Sequence, residues 1–410
     1  MRTGTRGTMG VDYEQRVDFD RLRRDRVANI KRELEKTDFS CLLLYDTCNK
    51  RYATSTASTS PECDNMGRYA IVPRHGEPYI FGFGSEVAAA KLNCPWIADR
   101  AFPAHTTMYG ALPNSLNPAA AFLRDLDMVF EAEGISHSDP IGFDVMDAQL
   151  LLAVQAAGYR LGDGMEVMQS ARMVKTDDEL EIARNACATV DAAWDGIARM
   201  LRPGVRENEV QGEAARILHR LGAQWVHNVQ VTTGSRTNPH PHLSSDRLLQ
   251  PGDLFFADVV TVWNGYQTCI YRTLCVGKPT QRQKDVYKSA YDMLMAGLGQ
   301  IKAGNTTADV ARAWPGPEHW GFKTESEAFG LAFGHGVGVG LWERPIIHRL
   351  FSLDNPIELR EGMVLALETY DGRGEDGARI EVEVIVTADG YELISKFPID
   401  ELIACGGTYS

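Results

Sequence analysis

Two residues that could act together in chemistry, Asp258 and Cys269, stand on either side of a predicted hairpin turn. Asn264 and Gly265 separate two runs rich in β-branched and aromatic residues, a strong signal for a two-residue turn that pairs Val260 with Cys269. Because side chains alternate between the faces of a sheet, Asp258 and Cys269 become diagonal neighbours about 5 to 8 Å apart. The hairpin therefore predicts a carboxylate beside a thiol. Taken alone, the pattern also fits a strand-end acid next to an ordinary buried cysteine.

One imidazole, that of His335, lies in a glycine-rich segment, residues 333–340, which contains four glycines. Glycines allow the backbone to approach another group closely. The segment lacks the strand-to-helix context and spacing of a dinucleotide loop, so a phosphate site is disfavoured. We predict a ligand or catalytic histidine, with a merely packed and hydrogen-bonded histidine as the alternative.

Acids also end or line two predicted strands near the C-terminus. Glu368 closes an apolar run that begins at residue 361, and residues 379–386 alternate so that Glu381 and Glu383 point to one side. Each glutamate, considered singly, could instead be a solvent-facing carboxylate at a sheet edge.

His240 and His242, flanked by prolines, precede the Asp258 strand. They form either a rigid loop that presents two imidazoles to a cleft or a surface turn.

The elements that must position these residues follow from periodicity and end signals. Thr176 and Glu179 form a capping box before a long predicted helix. Residues 201–210 are echoed at 301–310, so the C-terminal part is predicted to consist of two similar halves with a ligand between them. The predicted helices cover 17–35, 177–201, 207–221 and 281–301 and begin near 86, 117 and 146; the predicted strands cover 41–45, 69–72, 79–81, 225–233, 254–262 and 266–276.

Length and composition limit the class of protein. A chain of 410 residues with 44% hydrophobic residues suits two globular domains, which we divide into 12–170 and 171–410. The net charge of −13 argues against a nucleic-acid partner. Since no apolar run is long enough for a membrane span and residues 1–6 have no signal-peptide core, we expect a cytoplasmic protein. The eight cysteines lack CxxC pairs, which favours reduced thiols.

Taken together, the segments resemble the pita-bread superfamily of creatinase, aminopeptidase P, prolidase and methionine aminopeptidase. That family has an Asp, a second Asp eleven residues later in D-x-x-R-T, a His in G-H-G-x-G, a Glu after G-M and a Glu in R-x-E. This chain has the corresponding residues Asp258, Cys269, His335, Glu368 and Glu381, four of which match the family's types. The resemblance implies an α+β fold with an N-terminal creatinase-like α/β domain and a C-terminal pita-bread domain. The latter is expected to have helices around a curved antiparallel sheet and an internal pseudo-two-fold duplication.

In metal-bearing relatives the five side chains hold two divalent ions bridged by water. Cys269 departs from this set, because a thiolate suits Zn or Fe but does not bridge two metals as a carboxylate does. Creatinase itself works without metal and has a non-Asp residue there, yet it replaces the last Glu, which this chain keeps as Glu381. The resemblance thus implies one or two divalent ions (Fe, Zn or Mn), or none.

Other stretches, at 222–225, 234–239, 335–338 and 391–398, resemble the dimethylsulfoniopropionate lyase branch. That branch has an Asp base where this chain has 341–343, and an aromatic residue where it has His240. Peptidases of the family have H-E-x-P where this chain has Trp342-Glu343-Arg344-Pro345. Because the histidine is replaced by Trp342, the sequence also argues against cleavage of proline peptides.

We therefore expect a lyase or hydrolase that acts on a small polar or zwitterionic compound. Three alternatives stay open: an Xaa-Pro aminopeptidase or dipeptidase, a metal-independent creatinase-like amidinohydrolase, and an inactive scaffold. By resemblance we also expect a homodimer in which the N-terminal domain of one chain caps the partner's cleft. The predicted metal ligands are Asp258, Cys269, His335, Glu368 and Glu381, the catalytic residues His240, His242, Glu368 and Glu381, and the substrate-binding residues Tyr271 and Trp342.

Overall fold

The first part of the chain forms a mixed six-stranded sheet with helices against it in a computed structural model that describes residues 17–57 and 60–406. Its strands are β1 (Cys41–Leu44), β2 (Tyr69–Pro73), β3 (Tyr79–Gly82), β4 (Ala101–Pro103), β5 (Pro140–Phe143) and β6 (Arg160–Asp163), in the order β4-β3-β2-β1-β5-β6. Its helices are α1 (Phe19–Leu34), α2 (Thr47–Thr54), α3 (Pro61–Gly67), α4 (Gly84–Asn93), α5 (Pro118–Glu133), α6 (Ala148–Ala156) and α7 (Met165–Arg172). The polar start at 1–6 and the outer ends of the two predicted domains, 12–16 and 407–410, lie outside the described residues.

Most elements predicted for this part are confirmed, including the helix α1, the buried strand β1 and the antiparallel hairpin of β2 and β3. The helix α1 begins after Asp18, whose carboxylate accepts hydrogen bonds from two backbone amides, and buries Leu22, Ile30 and Leu34. The short strands β4 to β6 were not predicted, since three or four residues with Gly or Pro give little periodic signal.

The predicted domain boundary at residue 170 falls inside α7. Val167, Met168 and Ala171 of this helix pack in the same apolar cluster as Leu22 and Ile30 of α1. The helix is therefore part of the N-terminal core, and the division at residue 170 stays a prediction.

The rest of the chain places helices around two five-stranded sheets. Its helices are α8 (Asp177–Met200), α9 (Glu207–Arg220), α10 (Gln281–Leu298), α11 (Thr307–Ala313) and α12 (Arg349–Ser352). Its strands are β7 (Trp225–Thr233), β8 (Leu254–Trp263), β9 (Tyr266–Gln267), β10 (Tyr271–Val276), β11 (Ala332–Gly336), β12 (Glu343–Ile347), β13 (Val364–Arg373), β14 (Asp376–Val386), β15 (Tyr391–Leu393) and β16 (Ile403–Cys405).

The two sheets have the orders β16-β10-β8-β7, with β9 paired to β8, and β12-β11-β13-β14-β15. All pairs are antiparallel except that of β10 and β16. The expected antiparallel sheet is thus divided into two ladders. Side chains of β10 join them, because Thr273 is hydrogen-bonded to the backbone of Arg379 and Arg272 donates to the carbonyl of Glu381.

Two local predictions for this part can be compared with the structure. The capping box is confirmed, since Glu179 N donates to Thr176 Oγ1 and Thr176 N donates to Glu179 Oε2. The echoed turns make matching backbone bonds, from Gly204 N to the carbonyl of residue 249 and from Gly304 N to that of residue 359, each 2.9 Å long. This match concerns the turns alone, and duplication of the whole domain stays a prediction.

Within the part of the chain that the structure describes, no helix is both long and apolar enough to cross a bilayer.

Candidate active site

The hairpin that carries Asp258 and Cys269 has the predicted register, with Trp263 opposite Tyr266 and Asp258 opposite Tyr271. Cys269 lies in the three-residue break between β9 and β10. Its Sγ atom is 3.8 Å from both carboxylate oxygens of Asp258. The predicted contact between an acid and a thiol is therefore present, and both side chains are buried.

His335 lies on β11, inside a sheet between β12 and β13, where the sequence predicted no strand. Its Nδ1 atom donates to the carbonyl of Gly336 at 2.9 Å, which leaves Nε2 directed at Glu381, with Oε1 3.6 Å away. One ligand atom each of Cys269, His335 and Glu381 lies within 4.8 Å of the others. Residues from three different strands or strand ends thus converge on one point.

The donor set of Cys269, His335 and Glu381 fits a divalent ion. All three side chains are buried, and neither His335 Nε2 nor either carboxylate oxygen of Glu381 has a hydrogen-bond partner among the described residues. Buried polar atoms are normally satisfied, so these unpaired acceptors are suited to bind a cation. A thiolate, an imidazole and a carboxylate are the ligands of Zn and Fe sites, and the bond from Nδ1 fixes the tautomer that leaves Nε2 free to bind.

Electrostatics in the cluster favour the same conclusion. Burial, followed by the charge of Glu381, raises the pKa of Asp258 well above its usual range. Burial and Glu368 raise the pKa of Glu381, and burial and Asp258 raise the pKa of Cys269. These groups therefore resist deprotonation together, and a bound divalent cation would offset their repulsion.

Glu368 forms a buried ion pair with Arg379. Oε2 of Glu368 accepts from Nε of Arg379 at 2.8 Å and lies 2.6 Å from Nη2. Nη2 also donates to the carbonyl of Gly330 at 2.8 Å. Glu368 faces Glu381 across the β13–β14 pair but lies outside the cluster formed by Cys269, His335 and Glu381, as does Asp258.

A cavity of about 720 Å³ opens beside this cluster; Cys269 lines it, whereas His335 and Glu381 lie behind its wall. Tyr271 and Trp342, the two predicted substrate-binding residues, both line it. The other lining residues are His227, Asn228, Gln230, Asn238, Pro239, His240, His242, Asp258, Val260, Cys269, His319, Trp320, Phe322, Phe329, Gly330, Leu331, Phe333, Leu341, Glu368, Tyr370, Gly372 and Arg379.

One wall of the cavity is aromatic. The ring centroid of Phe333 is 5.4 Å from that of Phe329 and 5.8 Å from that of Trp342, and Trp342 is 6.1 Å from the ring of His335. The side chain of Trp342 is 58% exposed and that of Phe329 44%. The wall therefore runs from a predicted metal ligand to the surface of the single chain.

A contiguous segment, residues 317–331, supplies six of the lining residues. It connects α11 to β11, and its regular structure is a single 3-10 turn, Pro317–Trp320. Three hydrogen bonds attach it to the strands: Trp320 Nε1 donates to the carbonyl of Tyr370, the Tyr370 amide donates to the carbonyl of Leu331, and Arg379 donates to the carbonyl of Gly330. This 317–331 segment is thus held at the cavity by the sheet that carries the acids.

His240 and His242 both line the cavity, which agrees with the prediction of a loop that presents two imidazoles to a cleft. Their rings are 3.7 Å apart, and His240 also packs against Phe256 at 4.7 Å. Neither ring nitrogen of His240 has a partner among the described residues. Burial and the nearby charge of Arg379 lower the pKa of His240 to about 2 and also lower that of His242, so both rings are neutral at pH 7.

The sequence placed Glu383 beside Glu381 without assigning it to the site, and it did not identify a role for Arg379. Arg379 lies on β14 on the same face as these two glutamates, so the alternation of 379–386 was the signal that could have identified it. Glu383 accepts from the backbone amide of Cys269 at 2.6 Å, and burial raises its pKa to about 7. The edge-strand alternative for Glu381 and Glu383 is wrong, because β14 lies between β13 and β15 and both carboxylates are buried.

Comparison with known proteins gives consistent results. The model of metallopeptidase family M24 matches residues 181–388, just over half of the chain. The Xaa-Pro dipeptidase of Pyrococcus furiosus is 28% identical over 56% of this chain, which spans 65% of that protein's length. The dimethylsulfoniopropionate lyase DddP of Roseovarius nubinhibens is 25% identical over 93% of this chain and 87% of its own. The solved Xaa-Pro dipeptidase from Bacillus anthracis has a similar fold, with a TM-score of 0.74, 22% identity, and coverage of 93% of this chain and 99% of that one.

Proposed function

Because the chain belongs to metallopeptidase family M24 and has the pita-bread fold, we propose that it is a lyase or hydrolase acting on a small polar or zwitterionic compound. The observation that carries this proposal is the cluster of Cys269, His335 and Glu381, whose ligand atoms lie within 4.8 Å of one another and whose Cys269 lines an aromatic-walled cavity. A thiol in place of a bridging carboxylate distinguishes this site from the two-metal pattern that the resemblance implies.

We propose that one divalent transition metal ion is bound, with Zn or Fe preferred over Mn because of the thiolate. Cys269, His335 and Glu381 would hold it, and Asp258 stands beside Cys269. Glu368 is engaged by Arg379 and is therefore less free to complete a second site. The ion, when bound, supplies a Lewis acid that polarises a substrate or water oxygen.

The lining of the cavity supports a zwitterionic substrate. The exposed faces of Trp342 and Phe329 suit an onium group, since an aromatic quadrupole attracts a cation. The amides of Asn228 and Gln230 are donors that suit a carboxylate, and they lie in the same lining as Arg379, whose guanidinium binds Glu368. A cavity of about 720 Å³ with these two kinds of wall accommodates a compact molecule that carries both charges.

We assign proton transfer to the His240 and His242 pair. His242 is exposed, so it can exchange protons with solvent, and His240 connects it to the buried face that carries Tyr271. Both rings are neutral and can accept a proton, and His242 is the better base because burial lowers the pKa of His240 further. Glu368, oriented by Arg379, is the carboxylate left to assist in the cavity.

The extent of the sequence matches, though not that of the fold matches, supports a lyase-type reaction over peptide cleavage, since the fold of the Bacillus anthracis dipeptidase also covers 93% of this chain. The match to the Roseovarius lyase covers 93% of this chain and therefore includes the N-terminal part, whereas that to the Pyrococcus dipeptidase covers 56%. The second candidate, an Xaa-Pro dipeptidase, is favoured by the 28% identity in the shared region.

Metal analysis and a substrate panel test the proposal. The protein purified from metal-supplemented medium should contain one Zn or Fe per chain and lose activity with a chelator. The panel should include small zwitterions such as dimethylsulfoniopropionate beside Xaa-Pro dipeptides. Activity that is indifferent to the chelator would replace the metal proposal with the creatinase-like one.

The variant Cys269→Asp separates the two candidate reactions, and Cys275→Ala, a buried cysteine on β10 outside the cavity, is its control. If Cys269→Asp gains a second ion and cleaves proline dipeptides better than wild type, the dipeptidase candidate is favoured. A protein silent on the whole panel would favour the inactive scaffold.

We also propose the homodimer that the resemblance implies. The exposed Trp342 and Phe329 support it, because an uncovered aromatic wall at a cavity mouth is a surface that a partner's N-terminal domain could cap. Analytical ultracentrifugation tests it, and a sedimenting monomer at micromolar concentration would contradict it. The cytoplasmic location stays a prediction.

A further inference from the structure

A second cavity, of about 260 Å³, lies between the N-terminal helices and the tip of the Asp258 hairpin. It shares no lining residue with the candidate active site. The lining residues that matter for its chemistry are Asp20, Arg23, Arg26, Arg51, Trp96 and Asn264. Three guanidinium groups in one small cavity make it strongly basic, in a chain whose net charge is −13.

Arg51, on α2, has no counterion within residues 17–57 and 60–406. Its Nη1 atom is buried without a hydrogen-bond partner among the described residues. The guanidinium packs against Gly265 at the hairpin tip so closely that a Cβ atom there would lie 1.9 Å from Nε. Burial and then the charge of Arg26 lower the pKa of Arg51 to about 10, which still leaves it protonated at pH 7.

The other two guanidinium groups are compensated. Arg23 stacks on Trp96 at 3.9 Å and pairs with the exposed carboxylate of Asp20 at 3.3 Å. Arg26 donates to the hydroxyl of Tyr266, which in turn donates to Glu179 at 2.8 Å. Among the residues that the structure describes, one positive charge in the cavity, that of Arg51, is therefore left unbalanced.

We propose that this cavity binds a small oxyanion, a carboxylate or a phosphate group, with Arg51 as the main ligand and Arg23 beside it. A buried charge without a partner costs free energy that an anion would offset. Guanidinium groups bind the oxygens of carboxylates and phosphates with paired N–H donors. The volume of about 260 Å³ limits the ligand to a small anion or to the charged end of a larger one.

The position of the cavity gives the anion a structural role. It contacts α1, α2 and Asn264, so a bound anion would tie the N-terminal helices to the hairpin whose strands carry Asp258 and Cys269. The proposal is independent of the reaction catalysed.

Calorimetric titration of the full chain tests the site. Inorganic phosphate and sodium acetate are titrated separately at an ionic strength held constant with chloride. We expect saturable binding of one anion per chain, at least about tenfold weaker in Arg51→Gln, since charge-assisted hydrogen bonds are lost. The control is Arg24→Gln, an exposed arginine of α1 that does not line the cavity and should bind as wild type does. Whether phosphate or acetate binds more tightly identifies the group.

Two results would overturn the proposal: neither anion binds above the chloride control, or the Arg24 and Arg51 variants lose binding equally. Thermal melting gives a second, independent reading. Without added anion, Arg51→Gln should melt at a higher temperature than wild type, because the unbalanced charge is gone. The binding anion should raise the melting temperatures of wild type and Arg24→Gln but not that of Arg51→Gln. If Arg51→Gln does not fold, Arg23→Gln replaces it with the same expected loss of binding.

Discussion

Thr273 and Arg379 join the two sheets of the C-terminal part through a reciprocal pair of hydrogen bonds. The Thr273 hydroxyl donates to the Arg379 carbonyl at 2.7 Å and accepts from the Arg379 amide at 2.9 Å. Both residues are buried, and each lies within four positions of a proposed metal ligand, Cys269 or Glu381. The Thr273 hydroxyl therefore helps to bring together two proposed metal ligands, Cys269 and Glu381, that belong to different sheets.

Replacing Thr273 by Val should lower the free energy of unfolding by about 1 to 3 kcal/mol, since it leaves a buried amide and a buried carbonyl without partners. Metal affinity should fall as well, because the two sheets carry different ligands. Urea denaturation and a metal titration measure the two effects. Thr273→Ser keeps the hydroxyl and should stay close to wild type; a Val variant as stable as the Ser variant would refute the role.

The ion pair of Glu368 and Arg379 predicts a strong asymmetry among variants. Arg379→Met leaves a buried carboxylate unpaired and should destabilise the protein by about 3 to 5 kcal/mol. The double variant Glu368→Gln/Arg379→Met should recover part of that loss, because no charge is then buried alone. Denaturation of the two single variants and the double variant gives the coupling energy, and additive losses would show that the pair is not coupled.

The thiol at the site predicts a spectroscopic signature. With Co²⁺ as the added ion, wild type and Cys275→Ala should show a sulfur-to-cobalt charge-transfer band in the near ultraviolet at one ion per chain. Cys269→Ser should bind Co²⁺ more weakly and lose the band, because an alcohol oxygen is a harder and poorer ligand than a thiolate. A band that persists in Cys269→Ser would place the sulfur ligand elsewhere.

His240 predicts a pH dependence of stability. Its pKa is about 2 in the folded chain, whereas an unfolded histidine titrates near about 6.5. Below that pH the unfolded chain binds more protons at this residue, so stability falls as the pH is lowered from about 6.5. His240→Phe should remove this contribution and gain on wild type between pH 7 and pH 5. Urea denaturation at several pH values measures the difference, and parallel curves would contradict the prediction.

Local signals in the sequence were sufficient for the hairpin. The Asn264-Gly265 turn sets the pairing, and alternation then places Asp258 next to Cys269, because both rules act within a few residues. The same logic identified the capping box and most long helices. It did not predict the strand break at 268–270, which depends on a distant carboxylate, Glu383, that accepts the Cys269 amide.

The features that the sequence did not predict depend on pairings between residues that are distant along the chain. The glycines around His335 look like a loop, yet β11 is a central strand because β12 and β13 lie on both sides of it. At Gly336 the strand runs so close to Arg344 that a Cβ atom would be 2.3 Å from its carbonyl oxygen, so this glycine serves close packing. Likewise, the pairing of Glu368 with Arg379 could not be predicted, since Glu368 was considered singly and the strands of the two residues meet only in the fold.

The lining of the cavity comes in part from the paired strands and in part from the separate 317–331 segment. The proposed ligands and the Glu368–Arg379 pair stand on or beside paired strands, whereas six of the 24 lining residues of the cavity come from one short stretch of mostly irregular chain. Insertions or exchanges in that stretch would leave the strand ladders intact. Related enzymes can therefore diverge by changes in this one segment, which would alter the substrate that binds while the strands keep the residues of the reaction in place.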